Sequence, residues 1–215
     1  MIKMNARSSR LRKCRRDATR EALIEAAERA ITRRGYDRTV MKDIARQAGC
    51  ATGTLYLYFQ NKEALLDAIF FHHFRLLSNN LRTAIAGVDN PLEKLHRSVG
   101  ALLDYFNAHR SVFFLFYTAV PFSPGGPGQS LKGNTRQAYM EFSRFELDVI
   151  RSAQRQRLIR KDLPPETLQG FMHGLTSGVL GQFSHSKTQL PREEQMRLLW
   201  GFMTGGIGAS PSEHP

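Results

Sequence analysis

The sequence GTLYLYFQNKEALL, residues 53–66, places two tyrosines and a phenylalanine within four consecutive positions. Side chains two positions apart on a helix point in different directions, so Tyr56 and Tyr58 cannot share one buried face. Leu55 and Phe59 stand four positions apart and fall on the same face. The stretch therefore predicts a short helix that buries Leu55 and Phe59 and carries both tyrosine hydroxyls outward.

Two further helices are predicted upstream of this stretch. Apolar side chains at helical spacing predict an amphipathic helix over residues 17–33, and MKDIARQAG predicts a short second helix ended by Gly49. Glycine permits the tight turn at which two helices can cross steeply. Residues 40–59 therefore have the helix-turn-helix arrangement, in which the second helix enters the major groove of DNA.

The rest of the chain is also predicted to be helical. Lys62 begins a fourth helix, and apolar-rich segments at 92–120, 135–159, 165–185 and beyond Pro191 predict five more, with the first segment divided near residue 110. The fold class is all-α. We divide the chain into a basic flexible tail, a helix-turn-helix domain, a larger helical domain joined to it through the connecting helix, and a short tail, at 1–16, 17–61, 62–208 and 209–215.

The distribution of charge indicates the kind of partner. Of the formal net charge of +12, residues 1–62 hold +9, with fifteen Lys and Arg against six Asp and Glu. So asymmetric a positive field favours nucleic acid as partner over a membrane. Residues 1–16 carry seven basic residues and no acid. They are either a solvated tail or a tail that also contacts phosphate or the minor groove.

Several other classes of protein are not supported by the sequence. The longest apolar stretch, at 111–120, is about half of a membrane span, and no signal-peptide core is present, so we expect a cytoplasmic protein with no membrane contact. Cys14 and Cys50 form neither a disulfide framework nor a zinc spacing. Hydrolase, zinc-protease and paired-carboxylate signatures are missing. We therefore expect no enzyme activity, no catalytic residue, no metal and no cofactor.

The outward residues of the third helix suit a duplex surface. Hydroxyl groups donate to phosphate oxygens, threonine methyls and tyrosine edges can touch a thymine methyl, and glycine permits close backbone approach. Half-buried packing is the alternative role for the tyrosines. The candidate DNA-binding residues from this argument are Thr52, Gly53, Thr54, Tyr56, Tyr58 and, at the start of the next helix, Lys62.

Residues 35–66, GYDRTVMKDIARQAGCATGTLYLYFQNKEALL, resemble the DNA-binding signature of TetR/AcrR-type transcriptional regulators. The resemblance implies a ligand-binding and dimerisation domain after the three-helix domain, a homodimer on a palindromic operator of double-stranded DNA, and usually repression relieved by a small molecule. It also implies a phosphate contact by Thr39. Val40 and Ala51 depart from the pattern. Either Thr39 caps the second helix one residue early or that cap is lost, and Thr52 is a possible substitute for Ala51 at the third helix. Each lost cap costs roughly 1 kcal/mol.

The larger domain is rich in aromatic residues, which predict an apolar cavity for a small hydrophobic or aromatic effector. Each aromatic side chain could equally be ordinary core. The candidate pocket residues are Phe106, Phe113, Tyr117, Phe142, Phe145, Phe171 and His173.

Glycines recur along one edge of the helix at 165–185. Each costs roughly 1 kcal/mol of helix stability, so close packing should compensate. That packing is either a dimer interface shared with the last helix or contact within the chain. The candidate interface residues are Gly170, Gly174, Gly178, Gly181, Met196, Trp200 and Met203.

The function predicted from the sequence is a sequence-specific DNA-binding transcriptional regulator, most simply a repressor released from its operator by a hydrophobic effector. The alternatives are a non-specific or architectural DNA-binding protein and a helical enzyme. Equal affinity for random DNA would identify the first alternative, and turnover of a substrate would identify the second.

Overall fold

A computed structural model of the chain contains helices and their connecting segments, and no β-strand, among the residues that it describes. These are residues 2–120, 127–185 and 190–207, with the side chains of 2–12, 117–118, 127, 179–185 and 206–207 excepted. The helices are α1 (Ile2–Arg34), α2 (Met41–Gln47), α3 (Thr52–Tyr58), α4 (Lys62–Ala84), α5 (Pro91–Ala108), α6 (Arg110–Ala119), α7 (Gly133–Arg155), α8 (Pro165–His185) and α9 (Arg192–Ile207). The all-α prediction is confirmed. None of the described helices combines the length and the apolar character that a membrane span needs.

The first compact unit, Met1–Phe70, contains α1, α2, α3 and the first turns of α4. Its core is built from the faces that the spacing predicts. Ile44 of α2 and Leu55 of α3 are fully buried, and Phe59 is buried directly after α3. The guanidinium of Arg20 lies over the Phe59 ring at 5.2 Å from its centroid. Leu55 and Phe59 are thus buried in this core, as predicted.

Helix α1 is longer than predicted. Residues 2–16, expected to be a flexible tail, are the first four turns of this helix, which begins at Ile2. Residues 2–34 contain no glycine or proline, and Arg, Lys, Leu and Ala are good helix formers. The extension was missed because a basic segment lacks the apolar periodicity by which a helix is recognised in a sequence.

The turn between α2 and α3 depends on Gly49, whose φ of +69° is in the left-handed region. Val40 and Ala51 precede α2 and α3 in extended conformation and make no side-chain cap, as the departures from the family pattern predicted. An ion pair connects α2 to α1 instead: Asp43 accepts from Arg34 at 2.8 Å.

The second compact unit, Phe71–Pro215, has two apolar clusters. One joins α5, α7, α8 and α9 around residues such as Leu103, Ile150 and Leu199. The other joins α4, α5 and α7 through Leu77, Leu81, Leu102, Tyr105, Phe106 and Phe142. On α4, His72 is half-buried and Leu76 is exposed. The buried side of α4 passes instead through His73, Phe74 and Leu77, since the helix contacts different elements on either side of Phe70.

The conformation of the α2–α3 turn gives a stability prediction. Gly49→Ala should lower the free energy of opening of the first unit by about 1–2 kcal/mol, because its Cβ would be held in the left-handed region. Gly53→Ala is the matched control: Gly53 is helical and an added Cβ would meet no described atom within 4 Å. It should stabilise α3 by up to ~1 kcal/mol. Amide hydrogen exchange at Ile44 and Leu55 measures both, and an equal change in the two variants would contradict the prediction.

Candidate nucleic-acid interface and ligand cavity

Helix α3 has one buried face and one open face. Leu55 is fully buried, whereas Tyr56 is 50% exposed and Gly53 is exposed beside it. Thr52, Thr54 and Tyr58 are half-buried at the margins of the open face. The predicted contact residues of α3 therefore lie on or at the edge of a surface that a duplex could meet.

Two apolar side chains on this surface were not among the predicted contacts. Leu57 is 79% exposed and Val40, just before α2, is 54% exposed. The signal for Leu57 was available in the sequence, because Leu55 and Leu57 stand two positions apart and cannot both face the core. Exposed apolar groups beside polar ones are suited to the thymine methyl in the major groove.

Thr39 does not fit its predicted role. It is fully buried, and its hydroxyl donates to the carbonyl oxygen of Gly35 at 2.7 Å. The side chain therefore holds the loop between α1 and α2 together and does not face a phosphate. The assignment was wrong for Thr39 because sequence position alone cannot tell a hydroxyl that faces solvent from one that closes a loop.

Lys62, at the start of α4, lies over the ring of Tyr36, with Nζ 4.0 Å from the ring centroid. Its Nζ is 3.5 Å from the carbonyl oxygen of Asp37. Asn61 caps α4 by accepting from the backbone N–H of Ala64 at 2.8 Å. Partial burial raises the pKa of Tyr36, and the charges of Glu63 and Asp37 add to this. Lys62 is thus held in place, half-buried, by a ring and a carbonyl.

The second unit contains two adjoining cavities, which share Leu102, His173 and Thr176 in their walls. One has a volume of about 40 Å³ and an aromatic lining, which includes the predicted Phe106, Phe113 and Phe142. The other, of about 10 Å³, lies deeper among α5, α7, α8 and α9. An apolar cavity at the predicted aromatic residues is therefore present.

Three of the predicted pocket residues are not placed in these walls. Phe171 is 54% exposed on α8, whereas its neighbour Met172 is buried, so the assignment of Phe171 was wrong. Phe145 packs at the edge of the cluster of α4, α5 and α7, under the guanidinium of Arg82 at 4.9 Å. The side chain of Tyr117 lies outside the described residues.

A polar network was not foreseen beside the deeper cavity. Gln169 donates to Glu146 at 3.0 Å and to the Ser143 carbonyl at 2.9 Å, while the Ser143 hydroxyl donates to Gln169 at 3.1 Å. His173 lies 2.7 Å from Glu146 and stacks on the Phe142 ring. Burial opposes protonation of His173, but the charge of Glu146 and its hydrogen bond outweigh this and raise the pKa of His173.

The predicted interface residues separate into two groups. Gly170, Gly174 and Gly178 are exposed on one side of α8, and an added Cβ would meet no described atom within 4 Å. Met196 and Met203 are buried in the core, so their assignment to an interface was wrong, and the half-buried Trp200 packs at its edge. The position of Gly181 on α8 is described, but its surroundings are not.

The outward side of α9 carries a different set of residues from the predicted one. Phe202 is 66% exposed and Leu198 is exposed four positions before it, with Gly201 and Gly205 between and after them. Helices α8 and α9 pack on each other. Their open sides therefore present exposed glycines together with Phe171, Leu198 and Phe202, and we call this set the α8–α9 face.

Comparison with known proteins gives a family match within the first unit. Residues 23–69 match the family model described as bacterial regulatory proteins of the tetR family. An uncharacterized HTH-type transcriptional regulator of Mycobacterium tuberculosis is 33% identical over 107 residues, which cover 50% of this chain and 53% of that protein. The chain thus aligns with about half the length of that relative. The HTH-type transcriptional repressor KstR2 of the same species is 24% identical over 165 residues, or 74% of this chain and 78% of the repressor.

Solved structures extend the likeness to the whole fold. The ketosteroid transcriptional regulator KstR2 of Mycobacterium tuberculosis superposes with a TM-score of 0.69 at 21% identity, covering 89% of this chain and 95% of that one. The fatty acid degradation regulator FadR of Bacillus halodurans superposes with a TM-score of 0.73 at 18% identity, covering 86% and 98%. At these identities the likeness shows the fold alone.

The placement of Lys62 gives a prediction about charge. Lys62→Ala should weaken binding to every duplex by a similar factor and reduce the slope of log affinity against log salt by about one, if its ammonium contacts a phosphate. Fluorescence anisotropy over a salt series measures both. Lys161→Ala removes the same charge from an exposed loop of the second unit and is the control. An unchanged slope in Lys62→Ala, with lower stability, would instead assign Lys62 to packing on Tyr36.

The raised pKa of His173 gives a prediction about pH. Since the folded pKa lies above the unfolded value of about 6.5, the His173–Glu146 contact adds stability that is fully present below pH ~6.5 and lost as the pH rises through the folded pKa. The stability difference between the wild type and His173→Gln should therefore shrink as the pH rises from 6 to 9. Urea unfolding at each pH measures it. Glu146→Gln should remove the trend, and a difference that grows with pH would contradict the assignment.

Proposed function

We propose that the chain is a sequence-specific DNA-binding transcriptional regulator of the TetR type, because residues 23–69 match the model of that family. The observation that carries the proposal is the open side of α3, where Tyr56 and Leu57 project beside the exposed Gly53 while Leu55 is buried. A short helix with polar and apolar groups on one free face is suited to reading base edges in a major groove. The cytoplasm, where such a regulator meets DNA, is its expected compartment.

The electrostatics of the first unit support the same proposal. Its excess of Lys and Arg attracts phosphate without regard to sequence, and the α1 extension lengthens the basic segment in helical form. Charge alone would also serve a non-specific DNA-binding protein. The exposed Tyr56 and Leu57 on α3 favour sequence-specific recognition. A protein that only neutralises phosphate charge needs neither an exposed leucine nor an exposed tyrosine on the helix that enters the groove.

Selection of bound fragments from random duplexes tests the function directly. We expect enrichment of one near-palindromic sequence, with an affinity ~10³-fold or more above that for scrambled DNA at the same salt concentration. Enrichment of no sequence, with equal affinity for all duplexes, would support the non-specific alternative. If the two half-sites of the selected sequence lie about one turn of the DNA helix apart, two copies of α3 would contact the same face of the duplex.

Repression relieved by a small molecule is the mode of action that we propose. One relative, KstR2 of Mycobacterium tuberculosis, is a transcriptional repressor, and the apolar cavities of the second unit supply a place for an effector. Phe74 and Leu77 of α4 line the aromatic cavity, and α4 begins at Lys62. An effector that displaces Phe74 or Leu77 would therefore act on the helix that also carries Lys62.

A homodimer is the assembly that we propose, formed through the α8–α9 face. Five exposed glycines lie there with open space beyond each one: Gly170, Gly174, Gly178, Gly201 and Gly205. Glycine weakens a helix, and no described side chain of this chain compensates by packing close to these five. Exposed phenylalanines beside them supply apolar area that a second copy would bury.

The exposure of Leu57 gives a prediction about base recognition. Replacing thymine by uracil at one position of the selected duplex should weaken wild-type binding about fivefold, because it removes one methyl group from an apolar contact. Leu57→Ala should bind the two duplexes equally. Leu76→Ala, at an exposed leucine of α4 in the second unit, should keep the preference and is the control. Anisotropy titrations decide, and loss of the preference in Val40→Ala instead would move the contact to Val40.

The α8–α9 face gives a prediction about assembly. Phe202→Glu should convert the protein to a monomer in sedimentation velocity, since a carboxylate would be buried without a counter-charge at the centre of the interface. Met140→Glu places the same charge at an exposed apolar position of α7 and should leave the dimer intact. Dissociation by both variants, or by neither, would contradict the proposed face.

A further inference from the structure

The deeper cavity of the second unit contains a hydroxyl group that has no hydrogen-bond partner in the described part of the chain. Ser98 lies on α5, is only 8% exposed and lines this cavity. A helical serine or threonine ordinarily bonds back to the carbonyl one turn earlier. Thr176, on the wall of the same cavity, does so, donating to Met172 at 2.8 Å. The Ser98 hydroxyl is therefore buried and still available, at a cost that a bound polar group would offset.

The other polar groups around this cavity are engaged with one another. Both atoms of the Gln169 amide are bonded, its oxygen to the Ser143 hydroxyl and its nitrogen to Glu146 and the Ser143 carbonyl. Glu146 holds His173 at 2.7 Å. Among the described groups lining this cavity, Ser98 is thus the one whose side-chain hydrogen bonding is unused. The rest of the lining is predominantly aliphatic.

The charges on this wall leave no counter-ion for a ligand. The carboxylate of Glu146 and the imidazole of His173 form a pair, so each already has its opposite charge when His173 is protonated. A ligand carboxylate would be buried near Glu146 without compensation, and a ligand ammonium would have to displace His173 from it. Burying an uncompensated charge is costly, whereas an uncharged hydroxyl or carbonyl needs one hydrogen bond.

From these contacts we infer that the effector of this protein is an uncharged, largely apolar molecule with one hydroxyl or carbonyl group, which binds the Ser98 hydroxyl while its apolar body extends into the aromatic cavity. The inference rests on the proposed regulatory function and specifies its ligand. The aromatic cavity continues from the deeper one across Leu102, His173 and Thr176 and supplies Phe106, Phe113 and Phe142 to a ring or chain.

Because the two cavities are small, a bound ligand must move the side chains that line them. At about 10 and 40 Å³ they are far below the size of a drug-like ligand, so such a ligand must displace side chains to enter. The wall of the aromatic cavity includes Phe74 and Leu77 of α4. Occupation by an apolar body therefore acts on α4, while the Ser98 hydrogen bond selects which apolar bodies enter.

A series of biphenyl probes tests the inference in the full-length protein. We expect isothermal titration calorimetry to show that 4-phenylphenol binds about fivefold more tightly than biphenyl, the contribution of one hydrogen bond. Biphenyl-4-carboxylate and biphenyl-4-ylmethylammonium should bind at least tenfold more weakly than the phenol. Ser98→Ala should reduce the affinity for the phenol to that for biphenyl and leave biphenyl unchanged. Ser152→Ala, at a half-buried serine of α7 outside both cavities, should behave as the wild type.

The outcomes separate the ligand from the regulatory function. A phenol preference that persists in Ser98→Ala, tightest binding by a charged probe, or no binding by any probe would each overturn the inference. Thermal unfolding is first used to check that Ser98→Ala is folded. Selection of bound fragments from random duplexes by this variant should then enrich the same operator sequence as selection by the wild type. If ligand discrimination holds but no operator is enriched, the regulatory function fails and the cavity chemistry stands.

Discussion

The structure of the first unit depends on burial of a single side of α3. A seven-residue helix can contribute only one side to a core, and the side of α3 that does so carries the fully buried Leu55. Once Leu55 is buried, the helical period turns Tyr56 and Leu57 outward, and Gly49, with its φ in the left-handed region, forms the turn between α2 and α3. The exposed surface of α3 therefore follows from how its core is closed.

Much of this unit could be predicted from local signals in the sequence. Helices α2 and α3 were identified because glycine marks the turn and because Leu55 and Phe59 repeat at helical spacing. The role of Thr39 could not be predicted from the sequence. Whether its hydroxyl faces solvent or the Gly35 carbonyl depends on how the loop between α1 and α2 folds back. The helical form of residues 2–16 has no periodic apolar signal to reveal it.

The second unit was predictable in composition but not in arrangement. Its aromatic residues indicated an apolar cavity, and Phe106, Phe113, Phe142 and His173 line one. Which side of a helix faces inward depends on its partners, and this placed Phe171 and Met203 on opposite sides from those expected. The network of Glu146, Gln169 and His173 joins α7 to α8, and residues 23 to 27 positions apart share no pattern by which a sequence could pair them.

The exposed glycines of α8 and α9 would couple folding of the subunit to its abundance if two copies join through the α8–α9 face. Five glycines weaken these helices by roughly 1 kcal/mol each relative to alanine, so an isolated subunit begins with a deficit comparable to the whole stability of a small domain. If the α8–α9 face joins two copies, association offsets that deficit by mass action, and the melting temperature rises with protein concentration. A cell that makes little of the protein would then hold fewer folded subunits as well as fewer molecules, which steepens the dependence of operator occupancy on synthesis.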